Sequence, residues 1–583
     1  MVEVSGAQKS LVLAHVTIID TAGGSSKTDM TVIITKNRIA CINKTEELQP
    51  PQVAQVIDAK GRFLIPGLWD MHAHRSDVRQ LPLFIANGVT GVRIMWGFPV
   101  HYAWRDEISR GALIGPRIII ASPIIDGPKP FWPGSISVSN EVEARQAVRQ
   151  VKENGADFVK IYELLPRRAF YAIADESRKL GIPFAGHIPW SVSATEASDA
   201  GQKCVEHLGG AVSWGILLDC SDKEEELRKE GAKAFEDISM QGPLTSSQLE
   251  TLRSFPKKVL TTYNSMKADA LFPRFARNKT WFCPTLAVLR SIGYLNDKDF
   301  TDDRRLKYMK KNTKKNWDVK NNPLFSTWTE EEWAVSRMIY QKELEVVGAM
   351  RRAGVDMLAG TDEPNPFCFP GFSLHDELGL LVEAGLTPME ALQAATYKAA
   401  EFLGMMDSLG TVEEGKIADL VLLEADPLED IGNSRKIAAV VVDGRYYPRE
   451  ALDSMLARTE AIASLASIAE PLLKTITEKD ISSAIKQYHE LKAKQPDAYD
   501  FTEGELNSLG YRLLGTKKTR EAIEIFKLNV EIYPQSYNVY DSLAEAYLVN
   551  DDKELAIKNY AKSLELNRFN WSAVETLKKL NGK

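Results

Sequence analysis

The sequence predicts an α/β fold class: a (β/α)8 TIM barrel flanked by a small β-sandwich built from the segments on either side of it, then a C-terminal all-α domain of tetratricopeptide (TPR)-like repeats. Three observations carry this. Apolar strands alternate with amphipathic helices from Pro66 to about Leu403, the rhythm of a parallel barrel. Strand-like text stands before and after that region. Beyond it the chain repeats itself at a 34-residue offset.

The first element is the run from Leu11 to Ile65, where LVLAHVTIID, MTVIITKNRIACI and QVIDAKGRFLI are separated by Gly, Asn and Pro turns. Such a sheet is too small to stand alone. Its expected partner is the late strand text ADLVLLEAD and KIAAVVVDGRYY, which ends near Pro448. Residues 1–66 and 406–450 are therefore expected to form one composite domain. The barrel is expected over residues 67–405, with strands at Gly67–Met71, Gly88–Arg93, Arg117–Ala121, Phe158–Tyr162, Pro183–Ala185, Lys203–Glu206, Thr280–Cys283 and Val355–Ala359. A polar, helical insertion is expected over about 217–351. Its charged runs KEEELRKEGAK and KKNTKKN read as solvated helix faces, and as a loop at the barrel mouth the segment suits a lid.

The last domain is expected over residues 475–583. At the 34-residue offset Leu509 meets Leu543, Gly510 meets Ala544, Ala522 meets Ala556, Ile523 meets Ile557 and Phe526 meets Tyr560. Small residues recurring at helix contacts are the tetratricopeptide signature. A helix over Asp480–Lys494 and a capping helix near Trp571 complete the stack, which offers a groove for a protein or peptide partner or a surface for self-association.

With 583 residues and a net charge of −7, the chain has the bulk of several domains and no basic surface for nucleic acid or anionic membrane. No apolar run approaches the ~20 residues that span a bilayer. The N-terminal text has no cationic region followed by an apolar core, so the compartment stays open: cytoplasmic, or periplasmic had a signal been removed. Five widely spaced cysteines make neither a disulfide framework nor a CxxC site.

Chemistry concentrates at strand ends. His72 and His74, in LIPGLWDMHAH, are two apart on a strand and share the inward face near the C-terminal mouth. Asp70 lies on that face one layer deeper, where a carboxylate can orient the ligands. Histidines recur at two later strand ends, His187 in PFAGHIP and His207 in CVEHLGG, and Asp362 follows another in DMLAGTDEP. Residues so placed converge on one metal site. Lys160, in DFVKIYE, ends the strand between. A lysine in an apolar strand is costly unless paired or modified: an ion pair with a local acid is one reading, and a carbamate bridging two cations is the other.

Taken together, PGLWDMHAH, VKIYE, AGHIP, EHLGG, GTDEP and GTVEEGKIADLVLLEADP resemble the amidohydrolase superfamily, in its imidazolonepropionase-related and prolidase-like branch, from about Leu11 to Pro448. The resemblance implies two divalent metal ions, usually zinc. His72, His74 and Asp362 would hold the first and His187 and His207 the second, with N6-carboxylated Lys160 and a hydroxide between them. Hydrolysis of a C–N bond in an amide, small peptide or cyclic amide follows, with Asp362 shuttling the proton. Tyr162, two residues beyond Lys160, suits a hydrogen bond to the developing oxyanion or plain packing at the rim.

Other readings stay open: ester or lactone hydrolysis, deamination, or a non-catalytic TPR scaffold with a degenerate barrel. Prolidase-like enzymes commonly carry a histidine after the third strand, where this chain reads ASPIIDGPKPFWPGS. Asp126 and Trp132 in that segment read as a substrate loop of the chain's own. His101, after the second strand, reads as a surface loop histidine or as a substitute for the missing one, and His375 as helix packing or capping or as a support behind the metal ligands, while His15 and His489 receive no role.

Overall fold

The computed structural model describes residues 10–74, 77–210, 215–235, 245–322 and 324–580. They form two units, Met1–Leu306 with Asn312–Thr459, and Lys307–Lys311 with Glu460–Lys583.

The barrel opens with Leu68–Ala73, Val89–Ile94 and Arg117–Ile120, three parallel strands in that order, the first two buried throughout. A bridge from Ala121 to Phe158 carries the sheet on to Val159–Ile161, Phe184–Gly186, Cys204–Glu206 and Trp281–Cys283. The eighth position, expected as a strand over Val355–Ala359, is held by a single bridge from Phe282 to Met357. Leu358 N donates to Phe282 O and Met71 N to Ala359 O, both at 2.8 Å, which closes the ring on the first strand.

The helices between are amphipathic for local reasons. In Glu141–Glu153 the buried residues Ala144, Ala147, Val148 and Val151 recur at helical spacing, and the Asn140 side chain caps the start by accepting from Val142 N and Glu143 N. Arg167–Leu180 ends where Gly181 turns to φ 64°.

The charged insertion is not continuous over 217–351. The expected strand at Thr280–Cys283 is present as fully buried Trp281–Cys283, and two helical excursions flank it. One runs through Gly215–Asp219, Glu224–Phe235, Ser246–Thr262 and Ser265–Asn278. The other runs from Leu286–Tyr294 to the long helix Glu330–Arg352. An apolar WFC triplet excludes water only between neighbouring barrel strands, which is why it is drawn inward.

The expected sandwich is one hydrogen-bonded sheet of eight strands among the described residues. Phe63–Pro66 runs antiparallel to Leu420–Leu423, pairing Pro66 with Leu420 and Phe63 with Leu423. Text from both sides of the barrel thus joins at one strand pair, around buried Leu13, Val32, Leu64 and Leu422.

In the second unit, Glu503–Gly515 and Tyr537–Val549 begin 34 residues apart, as do Thr519–Ile532 and Lys553–Leu566. Helices Ala469–Glu478 and Ile481–Lys494 precede them and Trp571–Leu580 follows. The core reaches back to Ile468 and Leu472, before the expected start at 475, because Ala469–Glu478 packs on the next helix. No helix among the described residues is long and apolar enough to cross a membrane.

Candidate metal centre

The six expected residues do converge at the C-terminal ends of the barrel strands. Ring centroids of His72 lie 5.2 Å from His74 and 4.4 Å from His207, and His207 lies 5.0 Å from His187. Asp362 Oδ1 stands 2.7 Å from His74 Nε2 and 3.2 Å from His72 Nε2, with Oδ2 3.8 Å from His207 Nε2. His207 and Asp362 adopt φ 51° and φ 61°, the left-handed region that non-glycine residues pay to enter, and this turns their side chains inward. Gly186, just before His187, has φ 139°, and a Cβ there would sit 2.2 Å from Ile161 O. Only glycine lets the two strands approach so closely.

The other nitrogen of each buried imidazole is tied. His72 Nδ1 donates to Glu206 Oε2 at 2.8 Å, and His187 Nδ1 to Glu163 Oε1 at 2.7 Å. His207 Nδ1 lies 2.6 Å from Thr285 Oγ1, which spends its own proton on Pro284 O. Carboxylates only accept, and so does a hydroxyl whose proton is engaged, so each Nδ1 carries hydrogen and each Nε2 presents a lone pair to the cavity. Burial pushes His207 down to about 3 and His187 well below the usual range, keeping both neutral as ligands must be.

The arrangement asks for a cation. His72 Nε2 and Asp362 Oδ1 are buried without a hydrogen bond, a lone pair facing an anionic oxygen. His72, His207 and Asp362 have the spacing of a metal-ligand group, so the donor set fits a metal. His72, Glu206 and Cys283 form a second group, yet a cation is already present there: buried Arg93 donates from Nη2 to both Glu206 oxygens at 2.8 and 3.0 Å.

Lys160 is 1% exposed. Among the described residues no carboxylate forms a salt bridge with its ammonium group, against the ion-pair reading. Burial lowers its pKa. Tyr162 is buried with its ring 4.1 Å from that of His187, and its hydroxyl accepts from Trp132 Nε1 at 2.9 Å. Burial raises the phenol well above its usual range. Indole can only donate, so the Tyr162 proton stays available to a substrate.

Several expectations need correction. Asp70 hydrogen-bonds no imidazole among the described residues; it accepts from His72 N, Thr361 N and Thr361 Oγ1 and so orients the backbone beside His72 and Asp362 rather than a ring. His101 is fully buried in the helix Pro99–Ser109, where its Nδ1 accepts from Phe98 N; flanking Phe98 and Trp104 draw it in. His375 packs as expected, between Ser434 Oγ and Asn87 O. Sequence reading missed Glu206, Glu163, Thr285 and Arg93. The two acids stand inside the quoted motifs VKIYE and EHLGG, which was a usable signal; Thr285 and Arg93 offered none.

Residues 284–446 match the amidohydrolase family, a span that holds Asp362 and the late β segment. By sequence the chain is similar to ochratoxinase of Aspergillus niger, 38% identical over 103 residues, and to imidazolonepropionase of Pseudomonas syringae pv. tomato, 37% identical over 93. These alignments cover 17% and 16% of this chain and 20% and 23% of the relatives, so the chain spans about a fifth of the length of the curated relatives it matches. By structure the chain resembles bottromycin amidohydrolase, with TM-score 0.62, 24% identity and coverage of 78% of this chain and 91% of that one. It also resembles a putative prolidase from Bifidobacterium longum, with TM-score 0.52, 23% identity and coverage of 77% and 99%. At such identity these two likenesses establish the barrel fold.

Proposed function

We propose that this chain is a metal-dependent hydrolase of the amidohydrolase type that cleaves a C–N bond in an amide, small peptide or cyclic amide. The observation that carries the reading is the common tautomer of His72, His187 and His207, each with Nδ1 tied and Nε2 turned to the cavity. His72, His74 and Asp362 would hold one ion and His187 and His207 a second, zinc suiting the nitrogen-rich set. Lys160, buried with no salt-bridge partner among the described residues, would serve as the carbamylated bridge. When bound, two divalent ions polarise the substrate carbonyl and bring the pKa of water near neutrality.

The chain's own residues do the rest. Asp362 takes a proton on its carboxylate and returns it to the leaving nitrogen. Asn365 Nδ2 donates to Asp362 Oδ2 at 2.8 Å and to its carbonyl, holding it in place for both transfers. Tyr162 donates to the carbonyl oxygen as negative charge develops. Deamination normally runs on one metal without a bridging lysine, so the buried Lys160 favours amide hydrolysis. Ester or lactone hydrolysis uses the same groups. The missing histidine after the third strand speaks against proline dipeptides. The 34-residue helical hairpins read as tetratricopeptide repeats and supply a docking or self-association surface.

Metal content tests the reading. The purified chain should hold close to two equivalents of transition metal, and zinc with bicarbonate should raise amide hydrolysis. Asp362→Asn should keep most of the metal and lower kcat by roughly 10²–10⁴-fold. A chain with well under one equivalent, inert after loading, overturns it.

A further inference from the structure

The geometry points to an aromatic specificity subsite beside the metal centre: we propose that Trp132 and Trp96 take an aromatic ring carried within a few bonds of the scissile amide. The inference rests on the hydrolase reading above and adds the substrate class to it.

Aromatic side chains run outward from the ligands without a break. Tyr162 lies against His187, Trp132 meets the Tyr162 hydroxyl, and the Trp96 ring stands 6.2 Å from that of Trp132. Trp96 follows the second barrel strand, and Trp132 sits in the loop after the third. That loop is pinned: buried Asp126 accepts from Phe131 N at 3.0 Å and from Leu164 N at 2.8 Å, tying it to the end of the strand that bears Lys160. Phe131 fills the space beneath, buried, 5.9 Å from the Tyr162 ring. Trp132 sits between Phe131 and Pro133, where φ and ψ have little freedom.

Phe131 is buried, whereas Trp132 in that loop and Trp96 beyond the second strand are only half-buried. The Trp96 indole N–H is buried without an acceptor, a cost a residue serving only to fill space would avoid as phenylalanine. A rigid, half-buried pair of indoles, one of them hydrogen-bonded to the group placed on the oxyanion, is suited to stacking a flat ring. Because Trp132 touches Tyr162 at 2.9 Å, the stacked ring must be attached close to the scissile carbonyl.

The test separates the ring of Trp132 from its hydrogen bond. With zinc-loaded full-length protein, kcat/KM is measured for N-acetyl-phenylalanine and N-acetyl-alanine and for N-benzoyl-alanine beside the latter. Burial of one aromatic side chain predicts a preference of roughly tenfold to a hundredfold for at least one aromatic member. Trp132→Phe keeps the ring and loses the bond, so it should lower kcat on all substrates and retain the preference. Trp132→Ala should bring the preference to within about twofold. No aromatic preference in the wild type, or equal losses on all substrates in Trp132→Ala, overturns the subsite. If no amide is hydrolysed, the hydrolase reading fails, and calorimetric binding of N-acetyl-phenylalanine against N-acetyl-alanine judges the subsite alone. Tighter aromatic binding that survives Trp132→Phe and is lost in Trp132→Ala supports it; any other pattern overturns it.

Discussion

Glu206 Oε2 accepts from His72 Nδ1 at 2.8 Å while the same carboxylate is held by Arg93 Nη2. A proposed metal ligand thereby reaches, through one carboxylate, a guanidinium sealed inside the barrel. Burial opposes the Glu206 charge, but Arg93 and then His72 hold its carboxyl far below the usual range.

Glu206→Gln is expected to weaken zinc binding by about 10–100-fold, read by competition with a chromogenic chelator. The neutral amide orients His72 but no longer makes it more basic. Glu206→Ala should also destabilise the fold by about 3–5 kcal/mol, because it leaves Arg93 buried and unpaired. Unchanged affinity in Glu206→Gln would remove Glu206 from the metal centre.

Tyr162→Phe is expected to lower kcat on an amide by about 10²–10³-fold with little change in KM. The Trp132 indole already satisfies the acceptor side of that hydroxyl, so the group lost is the donor. An effect on KM alone would return Tyr162 to a packing role.

Glu343, buried on the helix Glu330–Arg352, is pushed by burial up to about 8 from an ordinary 4.5. The folded state therefore binds this proton more tightly than the unfolded state. Stability is fully present below about pH 4.5 and declines as pH rises towards 8. Glu343→Gln should remove that decline and gain up to about 3 kcal/mol at pH 7. Urea melts at pH 5 and pH 8 decide it: parallel behaviour of the two proteins would show that the carboxyl is not desolvated.

In the helical unit, a Cβ at Gly510 would lie 2.4 Å from the Phe526 ring. Gly510→Ala is expected to cost about 1–3 kcal/mol despite the better helix propensity of alanine. Hydrogen exchange should speed in peptides from residues 503–566, and adding Phe526→Leu should restore part of the protection. Full protection in Gly510→Ala would mean the two helices are not in contact there.

Much of the site was legible from strand geometry. His72 and His74 two apart, and histidines or an acid closing later strands, must share the barrel mouth once the strands are parallel. Lys160 was legible only as an anomaly, an amine in an apolar strand. The eighth strand was placed correctly along the chain although its pairing is one bridge, since its apolar text needs burial whether or not its hydrogen bonds are regular. The strand expected at Thr280–Cys283 is present as Trp281–Cys283, and what the reading of one insertion over 217–351 overlooked is that this strand divides it into two helical excursions.

By itself the sequence determined the strand–helix alternation, the 34-residue period and the set of inward-facing candidate ligands, because each depends on spacing within one element or between like elements. Only the tertiary structure decided which residues orient those ligands. His72 meets Glu206 across 134 residues and His207 meets Thr285 across 78, distances that ring closure sets and no local periodicity encodes. The same holds for Trp132 on Tyr162, where a loop from one strand is tied by Asp126 to the end of the next. Local order follows from backbone geometry, whereas the protonation and aim of a side chain depend on whatever the fold brings beside it.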